Sequence, residues 1–195
     1  MNAKKTIWVV RHAQSNHQIG LQEETCDCDL SPEGFRQADT LAGRLAGVHP
    51  DVVIVSAMKR AQQTFMGSKI TAPRMEVDSR AIEGGTYPEL AGVRPPLSPL
   101  LRPDVHDAAL VDTMPRATSL LADILAMPEP EVMLFSHCYF LSCFARLFLS
   151  AVETLAWNAV KLHNTGIGKL VVEEDDIRRI WLWDAWADWA EERTM

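Results

Sequence analysis

Three apolar segments of the chain each run into a short cluster of hydroxyl, cationic or imidazole side chains. They are Thr6–Val10 with Arg11 and His12, Val52–Val55 with Ser56 and Arg60, and Val132–Phe135 with Ser136 and His137. The apolar residues, many of them β-branched, predict buried strands. The carboxyl ends of parallel strands meet at one edge of a sheet, where α/β proteins bind their ligands. We therefore expect the two arginines and two histidines of these clusters to lie together at that edge.

This set of side chains indicates phosphate chemistry. Two guanidinium and two imidazole groups at one edge would repel one another unless an anion lay between them. A guanidinium suits phosphate because its planar fork donates two parallel hydrogen bonds. A histidine can attack phosphorus, donate a proton or stabilise charge on phosphoryl oxygens. A lone arginine or histidine is usually structural, but four of them at strand ends favour a site.

The remaining periodicity predicts strands that alternate with helices. Strands are predicted over residues 6–10, 51–55, 74–78, 131–135, 166–173 and 177–183, and helices over 57–70, 116–127 and 139–150. A further helix begins with the cap residue Ser31, has Pro32 at its first position, and ends before Gly47. The alternation predicts an α/β fold, and the short acidic turn at 173–176 makes the last two strands an antiparallel hairpin at one edge of a largely parallel sheet.

Length and charge limit the classes of protein to which the chain can belong. The 195 residues fit a single domain, 1–195, and the net charge of -7 argues against nucleic acid as a partner. No apolar run is long enough to span a membrane or to serve as a signal peptide, so we expect a cytoplasmic protein. Cys26 and Cys28 lack a matching second pair, and no histidine has metal-ligand spacing, so no metal site is predicted.

Two further regions stand out in the sequence. Residues 84–115 carry six prolines, which predict a long irregular segment that acts as a lid or substrate-specificity segment, with a disordered excursion as the alternative. The tryptophans are concentrated towards the C-terminus; the six are Trp8, Trp157, Trp181, Trp183, Trp186 and Trp189. They are expected to cover the sheet edge or, alternatively, to form the contact of a homodimer.

The motifs resemble, in order, those of the histidine phosphatase superfamily, in its phosphoglycerate-mutase-like branch. The resemblance covers roughly residues 6–172, and the matching segments are Val9–Ser15 for Arg-His-Gly, Leu30–Ala38 for Leu-Ser/Thr-x-x-Gly-x-x-Gln-Ala, Ser56–Thr64 for Ser-x-x-x-Arg-Ala-x-Gln-Thr, Asp78–Glu83 for the acidic segment, Phe135–Cys138 for Ser-His-Gly and Asn164–Gly166 for Asn-Thr-Gly. Each motif alone is weak, but their order makes the signal strong. The resemblance implies a three-layer α/β/α sandwich with an antiparallel edge.

The resemblance also implies roles for the residues at these positions. His12 becomes a transient phosphohistidine, and Arg11, Arg60 and His137 bind the phosphoryl oxygens. Glu83 protonates the leaving oxygen and then activates water, with no metal or other cofactor. The nitrogen of His12 that does not attack is expected to be held by a hydrogen bond, such as one to a backbone carbonyl.

The chain departs from the family pattern at several positions. Ala13 and Cys138 replace glycines after the two histidines, and Ala13 would be strained if its φ were positive. Gln18 stands where the family often has asparagine, and it is retained as a candidate phosphate ligand. The segment after Glu83 lacks the usual glycines, which makes Glu89 a rival proton donor.

The predicted function is hydrolysis of a small phosphorylated substrate, a phosphomonoester. The alternatives are a mutase-type phosphotransferase and a non-catalytic phospho-ligand-binding protein. Transfer between hydroxyls needs a closed, basic site that excludes water, and the segment after Glu83 offers only Arg94 and Arg102 as cations. Hydrolysis is therefore favoured over phosphoryl transfer.

Overall fold

Strands alternate with helices along the part of the chain that the computed structural model describes, which comprises residues 4–21, 27–84, 103–104, 113–149, 161–173 and 176–185. The strands are β1 (Lys5–Arg11), β2 (Val52–Ser56), β3 (Arg74–Asp78), β4 (Pro103–Asp104), β5 (Glu131–Ser136), β6 (Leu162–Val172) and β7 (Arg178–Ala185). The α-helices are α1 (Pro32–Arg44), α2 (Lys59–Ser68), α3 (Thr113–Ala126) and α4 (Cys138–Phe148). All the predicted strands and helices are present.

The strands form one sheet in the order β4-β3-β2-β5-β1-β6-β7. β1, β2, β3, β4 and β5 pair in parallel, whereas β6 runs antiparallel to both β1 and β7. Arg11, the last residue of β1, lies opposite Ser136, the last residue of β5. The sheet thus confirms the predicted α/β fold with an antiparallel edge, and it brings the predicted clusters to one edge.

Helices cover both faces of the sheet because the central strands are apolar on both faces. In β2, Val52 and Ile54 pack with residues of α3 and α4, whereas Val53 and Val55 pack with residues of α1 and α2. All four side chains are fully buried. This double burial explains why β2 has an unbroken apolar sequence instead of an alternating one.

The start of α1 is fixed by its motif. The Ser31 hydroxyl accepts a hydrogen bond from the backbone N–H of Gly34 at 3.0 Å and so caps the helix. A Cβ atom on Gly34 would lie 2.0 Å from the carbonyl oxygen of Gln14, so only glycine allows the helix to approach this closely. α1 is thereby packed directly on the loop that follows β1.

Two boundaries differ from the prediction by three residues or more. β6 begins at Leu162 and not at residue 166, because Leu162 pairs with Ala185 of β7. The register shifts between Leu162 and Ile167, where Thr165 adopts a left-handed φ of 57°. α3 begins at Thr113, so the predicted irregular segment 84–115 is wrong for its last three residues. Pro115 lies in the first helical turn, where proline is tolerated because its missing N–H would have no helical partner.

The rest of the predicted lid has little described structure. Pro103–Asp104 pairs with β3, and residues 85–102 and 105–112 lie outside the described residues. The lid and the single domain therefore remain predictions. Among the described helices, none is long and apolar enough to cross a membrane.

Three of the tryptophans lie in described strands. The ring of Trp183 on β7 stacks on that of Trp8 on β1, with their centroids 6.0 Å apart. Trp181 and Trp183 are 43% and 46% exposed on the outermost strand at that end of the described sheet. Trp183 thus covers part of the sheet near its edge. Trp157, Trp186 and Trp189 lie outside the described residues, and the homodimer contact stays a prediction.

Candidate active site

His12 lies immediately after β1, and its ring is held in one orientation. Its backbone N–H donates to the carbonyl of Ser136 at 2.9 Å, which continues the pairing of β1 with β5. The ring is only 4% exposed, and Nδ1 lies 2.6 Å from the carbonyl oxygen of Ala13. Because a carbonyl only accepts hydrogen bonds, this contact assigns the proton to Nδ1 and leaves the lone pair on Nε2. This is the carbonyl contact that the sequence predicts.

The surroundings of His12 favour its neutral form. Burial lowers the pKa of His12 well below its ordinary value of 6.5, and the nearby cations Arg60 and Arg11 lower the pKa further. The hydrogen bond to Ala13 raises the pKa of His12, but its effect is the smallest of these. A neutral, buried imidazole with an unprotonated Nε2 is a competent nucleophile at neutral pH.

His137 lies beside His12 and is also held on one side. The centroids of the two rings are 5.0 Å apart. Nε2 of His137 is 2.7 Å from the hydroxyl of Ser56, which accepts the backbone N–H of Met58. In the tautomer in which the serine donates to Nε2, Nδ1 carries the ring proton. Within the described ranges this buried Nδ1 has no partner, so it can donate a hydrogen bond to an anion.

The pKa of His137 is lowered for similar reasons. Burial is the largest cause, and the positive charge of Arg60 is the next. The ring is fully buried. His137 in the free protein is thus a neutral hydrogen-bond donor at neutral pH.

Arg11 and Arg60 supply the positive charge of the site. Both are buried, and Nη1 of Arg11 donates to the carbonyl of Leu162 at 2.7 Å. Nη1 of Arg60 lies 3.8 Å from the sulfur of Cys28. In the described part of the chain, no carboxylate forms an ion pair with either guanidinium. Two buried cations without a paired carboxylate favour an anionic ligand.

Glu83 lies at the amino end of α4, the helix that begins directly after His137. One carboxylate oxygen, Oε1, accepts the backbone N–H groups of Gly84 at 2.8 Å, Tyr139 at 3.1 Å and Phe140 at 3.2 Å. The last two are first-turn amides of α4, which have no partner inside the helix. The helix that follows His137 therefore also holds the carboxylate of Glu83, and this brings the two predicted residues together.

Gln18 is engaged with a neighbouring loop. Its side-chain amide exchanges hydrogen bonds with that of Asn164 at 3.0 and 3.1 Å. Asn164 in turn donates to the backbone carbonyl of His12 at 3.0 Å. The contact of Gln18 with the site is thus made through Asn164, and phosphate binding by Gln18 stays a prediction. The rival donor Glu89 lies outside the described residues.

The loop after His12 is held by side chains from α1 and α2. The backbone N–H of Ala13 donates to the hydroxyl of Thr64 at 2.9 Å, and that of Gln14 donates to the side-chain oxygen of Gln37 at 2.9 Å. Ala13 is fully buried and does not have the positive φ that would strain an alanine. Alanine therefore fits this position without the backbone strain that a positive φ would cause.

Two residues with roles at the site gave no sequence signal of those roles. Asn164 belongs to a matched motif, but its bond to the carbonyl of His12 follows from the irregularity in β6. Arg116 contacts backbone carbonyls of the segment that carries Glu83. A carbonyl is present at every position of a chain, so such a contact leaves no pattern in the sequence.

The lowered pKa values predict that mild acid destabilises the free protein. Below about pH 6.5 the unfolded chain binds protons at His12 and His137, whereas the folded chain does not, so the free energy of unfolding falls. The slope is at most about 1.4 kcal/mol per pH unit for each histidine. Urea unfolding in phosphate-free buffer between about pH 7.5 and 5.5 measures it.

A His12→Asn variant is the control for this measurement. It removes one of the two histidines, so the free energy of unfolding should fall less steeply with decreasing pH than in the parent protein. An identical slope in the two proteins would show that His12 does not have a lowered pKa.

Comparisons with known proteins show the family to which this chain is similar. A family model for the histidine phosphatase superfamily (branch 1) matches residues 7–185. A Hydrogenobacter thermophilus protein is 23% identical over 193 residues, covering 91% of this chain and 95% of its own length; it is named phosphoserine phosphatase 2, an assignment its name gives as provisional. Among the described residues, no group of histidine, cysteine or acidic side chains is arranged to hold a metal ion.

Solved structures share the fold at low sequence identity. A mycobacterial glucosyl-3-phosphoglycerate phosphatase is 19% identical with a TM-score of 0.65, covering 93% of this chain and 99% of that one. A phosphoserine phosphatase from Entamoeba histolytica, solved with 3-phosphoglyceric acid, is 18% identical with a TM-score of 0.63, covering 93% of this chain and 96% of that one. The predicted family is confirmed: the chain belongs to branch 1 of the histidine phosphatase superfamily.

Proposed function

We propose that this protein is a metal-independent phosphatase that hydrolyses a small phosphomonoester through a phosphohistidine on His12. One observation carries the proposal: the contact of Nδ1 with the carbonyl of Ala13, which leaves Nε2 of a neutral ring unprotonated. A nucleophilic nitrogen beside two buried guanidinium groups suits attack on a phosphoryl group.

In the first step, Nε2 of His12 attacks phosphorus and the ester P–O bond breaks. Arg11 and Arg60 neutralise charge on the phosphoryl oxygens, and Nδ1 of His137 donates a hydrogen bond to one of them. Glu83 gives its proton to the leaving oxygen, so the product is a neutral alcohol and the enzyme holds an N–P bond. The charge on the guanidinium groups substitutes for the metal ion of other phosphoryl-transfer enzymes.

In the second step, water attacks the phosphohistidine. The carboxylate of Glu83 takes a proton from the water, an O–P bond forms, and the N–P bond breaks to release phosphate and neutral His12. Glu83 then carries the proton that it needs for the next substrate. The same two residues therefore close the cycle with water as the only co-reactant.

The family and the relatives support the coarser assignment, which is hydrolysis of phosphoric monoesters. The three relatives described above are named as phosphatases of phosphoserine or of glucosyl-3-phosphoglycerate. Their substrates are small phosphomonoesters that bear a carboxylate. We propose this class as the first to be screened with the present protein.

We expect the protein to hydrolyse p-nitrophenyl phosphate at full rate after prolonged treatment with EDTA. The guanidinium groups belong to the chain and cannot be removed by a chelator, so the positive field of the site persists. The measurement is the release of nitrophenol and of inorganic phosphate, in equal amounts, before and after dialysis against EDTA.

Each alternative outcome of this experiment is informative. Activity lost with EDTA and restored by added Mg²⁺ would contradict the metal-independent mechanism. Nitrophenol released without phosphate, with the phosphoryl group recovered on an added alcohol, would indicate a phosphotransferase. Absence of turnover with tight binding of phosphate would indicate a non-catalytic binding protein.

A further inference from the structure

Arg116 is a buried arginine that the proposed reaction does not use directly. It lies in the first turn of α3 and is only 2% exposed. Its guanidinium lies 5.7 Å from the centre of the Phe140 ring, in the first turn of α4. Arg116 thus lies where the starts of α3 and α4 meet the segment that carries Glu83.

The guanidinium binds that segment through its backbone. Nη1 donates to the carbonyls of Arg80 at 2.8 Å and Ile82 at 2.9 Å, and Nη2 donates to the carbonyl of Glu83 at 2.9 Å. Nη2 also donates to the hydroxyl of Thr113 at 3.1 Å, within α3. One rigid group therefore fixes three carbonyls in a stretch of four residues.

Glu83 is consequently held at both ends. Its carbonyl is bound by Arg116 from α3, and its carboxylate by the amides of Tyr139 and Phe140 at the start of α4. A proton donor must lie within hydrogen-bond reach of the leaving oxygen, and a displacement of about 1 Å can cost about 100-fold in rate. The double attachment limits such displacement.

We propose that Arg116 is a positioning residue that holds Glu83 in place for proton transfer to the leaving oxygen. This inference rests on the proposed function, in which Glu83 is the proton donor. Lysine cannot replace arginine here, because an ammonium group lacks the planar fork that reaches several carbonyls at fixed angles. The Arg116→Lys variant thus keeps the buried charge but lacks the planar group that contacts several carbonyls at once.

The test compares two substrates that differ in their need for a proton. Nitrophenolate leaves readily without protonation, whereas the alkoxide of an alkyl phosphate does not. Arg116→Lys should lower kcat/KM for an alkyl phosphate about 10- to 100-fold and leave that for p-nitrophenyl phosphate nearly unchanged. Retained turnover of the aryl substrate also shows that the variant is folded. A milder change, Thr113→Val, removes one partner of the guanidinium. It should lower the ratio of alkyl to aryl kcat/KM by a smaller factor than Arg116→Lys does.

A matched control severs a different contact between the same segment and α3. Asp123 accepts a hydrogen bond from Nη1 of Arg80 at 2.6 Å, in a partly exposed ion pair that does not touch Glu83. Asp123→Ala should therefore leave the ratio of alkyl to aryl turnover at the parent value. A general loosening of the segment would lower the ratio in both variants, and this outcome would overturn the specific role of Arg116.

A double variant separates this inference from the proposed function. If Arg116 acts through Glu83, Arg116→Lys should cause no further loss of alkyl turnover when Glu83→Gln is already present. A further loss of the same size would overturn the inference alone. A Glu83→Gln variant with an unchanged ratio of alkyl to aryl turnover would overturn both the inference and the role of Glu83.

Discussion

Replacement of His12 by alanine will lower turnover of p-nitrophenyl phosphate by at least about 10⁴-fold, because it removes the nitrogen that we propose forms the covalent intermediate. The loss should be similar for aryl and alkyl phosphates, since bond formation at phosphorus is needed for both. Steady-state kinetics measures the loss, and rapid quenching in alkali, followed by intact mass analysis, detects the phosphoryl group on the parent protein alone.

His17 provides a matched control for this replacement. It lies five residues further along the same loop and is only partly buried. His17→Ala should retain both turnover and the phosphoryl group. A His12→Ala protein that still carried the phosphoryl group would assign the nucleophile to another residue, and one that kept the parent rate would exclude a covalent role for His12.

The elements that carry the site residues could be predicted because several motifs place their functional side chains within one short segment of the chain. In Ser56–Thr64, the end of β2 and the first turns of α2 direct three side chains to separate tasks. Ser56 holds His137, Arg60 supplies charge, and Thr64 accepts the N–H of Ala13 while it donates to the carbonyl of Arg60 at 2.6 Å. The spacing of four residues between Arg60 and Thr64 is one turn of a helix.

The parts that could not be predicted depend on contacts with backbone atoms far along the chain. Arg116 recognises carbonyls more than 30 residues away, and Asn164 recognises the carbonyl of His12 from 152 residues away. The early start of β6 has the same origin, because Thr165 takes a conformation that its side chain disfavours. Leu162 pairs with Ala185 of β7, and β6 pairs with β1 only from Ile167 to Val172, so the early start of the strand depends on a residue far along the chain.

The fully buried core shows why the fold itself was predictable. Each central strand is apolar on both faces, which is typical of a sheet covered by helices on both sides. The antiparallel hairpin at the edge followed from the short acidic turn between β6 and β7, which is too short for a crossover connection. Substrate specificity has no comparable local pattern, since the segment 84–115 contains no matched motif.

Replacement of Glu83 by glutamine will separate alkyl from aryl substrates. Glutamine keeps a carbonyl oxygen that can accept the N–H groups of Gly84, Tyr139 and Phe140, so the start of α4 should stay intact. It cannot transfer a proton, so kcat/KM for an alkyl phosphate should fall about 10²- to 10⁴-fold. The value for p-nitrophenyl phosphate should fall much less, because nitrophenolate needs no proton to leave.

The rival donor is the natural control for this prediction, because Glu89→Gln makes the same chemical change six residues away. Three backbone amides hold Glu83 beside His137, and this position at the site favours it as the donor. Glu89→Gln should therefore keep the parent ratio of alkyl to aryl turnover at every pH tested. If Glu89→Gln alone lost turnover of alkyl phosphates, Glu89 would be the proton donor, and the carboxylate of Glu83 would serve to cap α4.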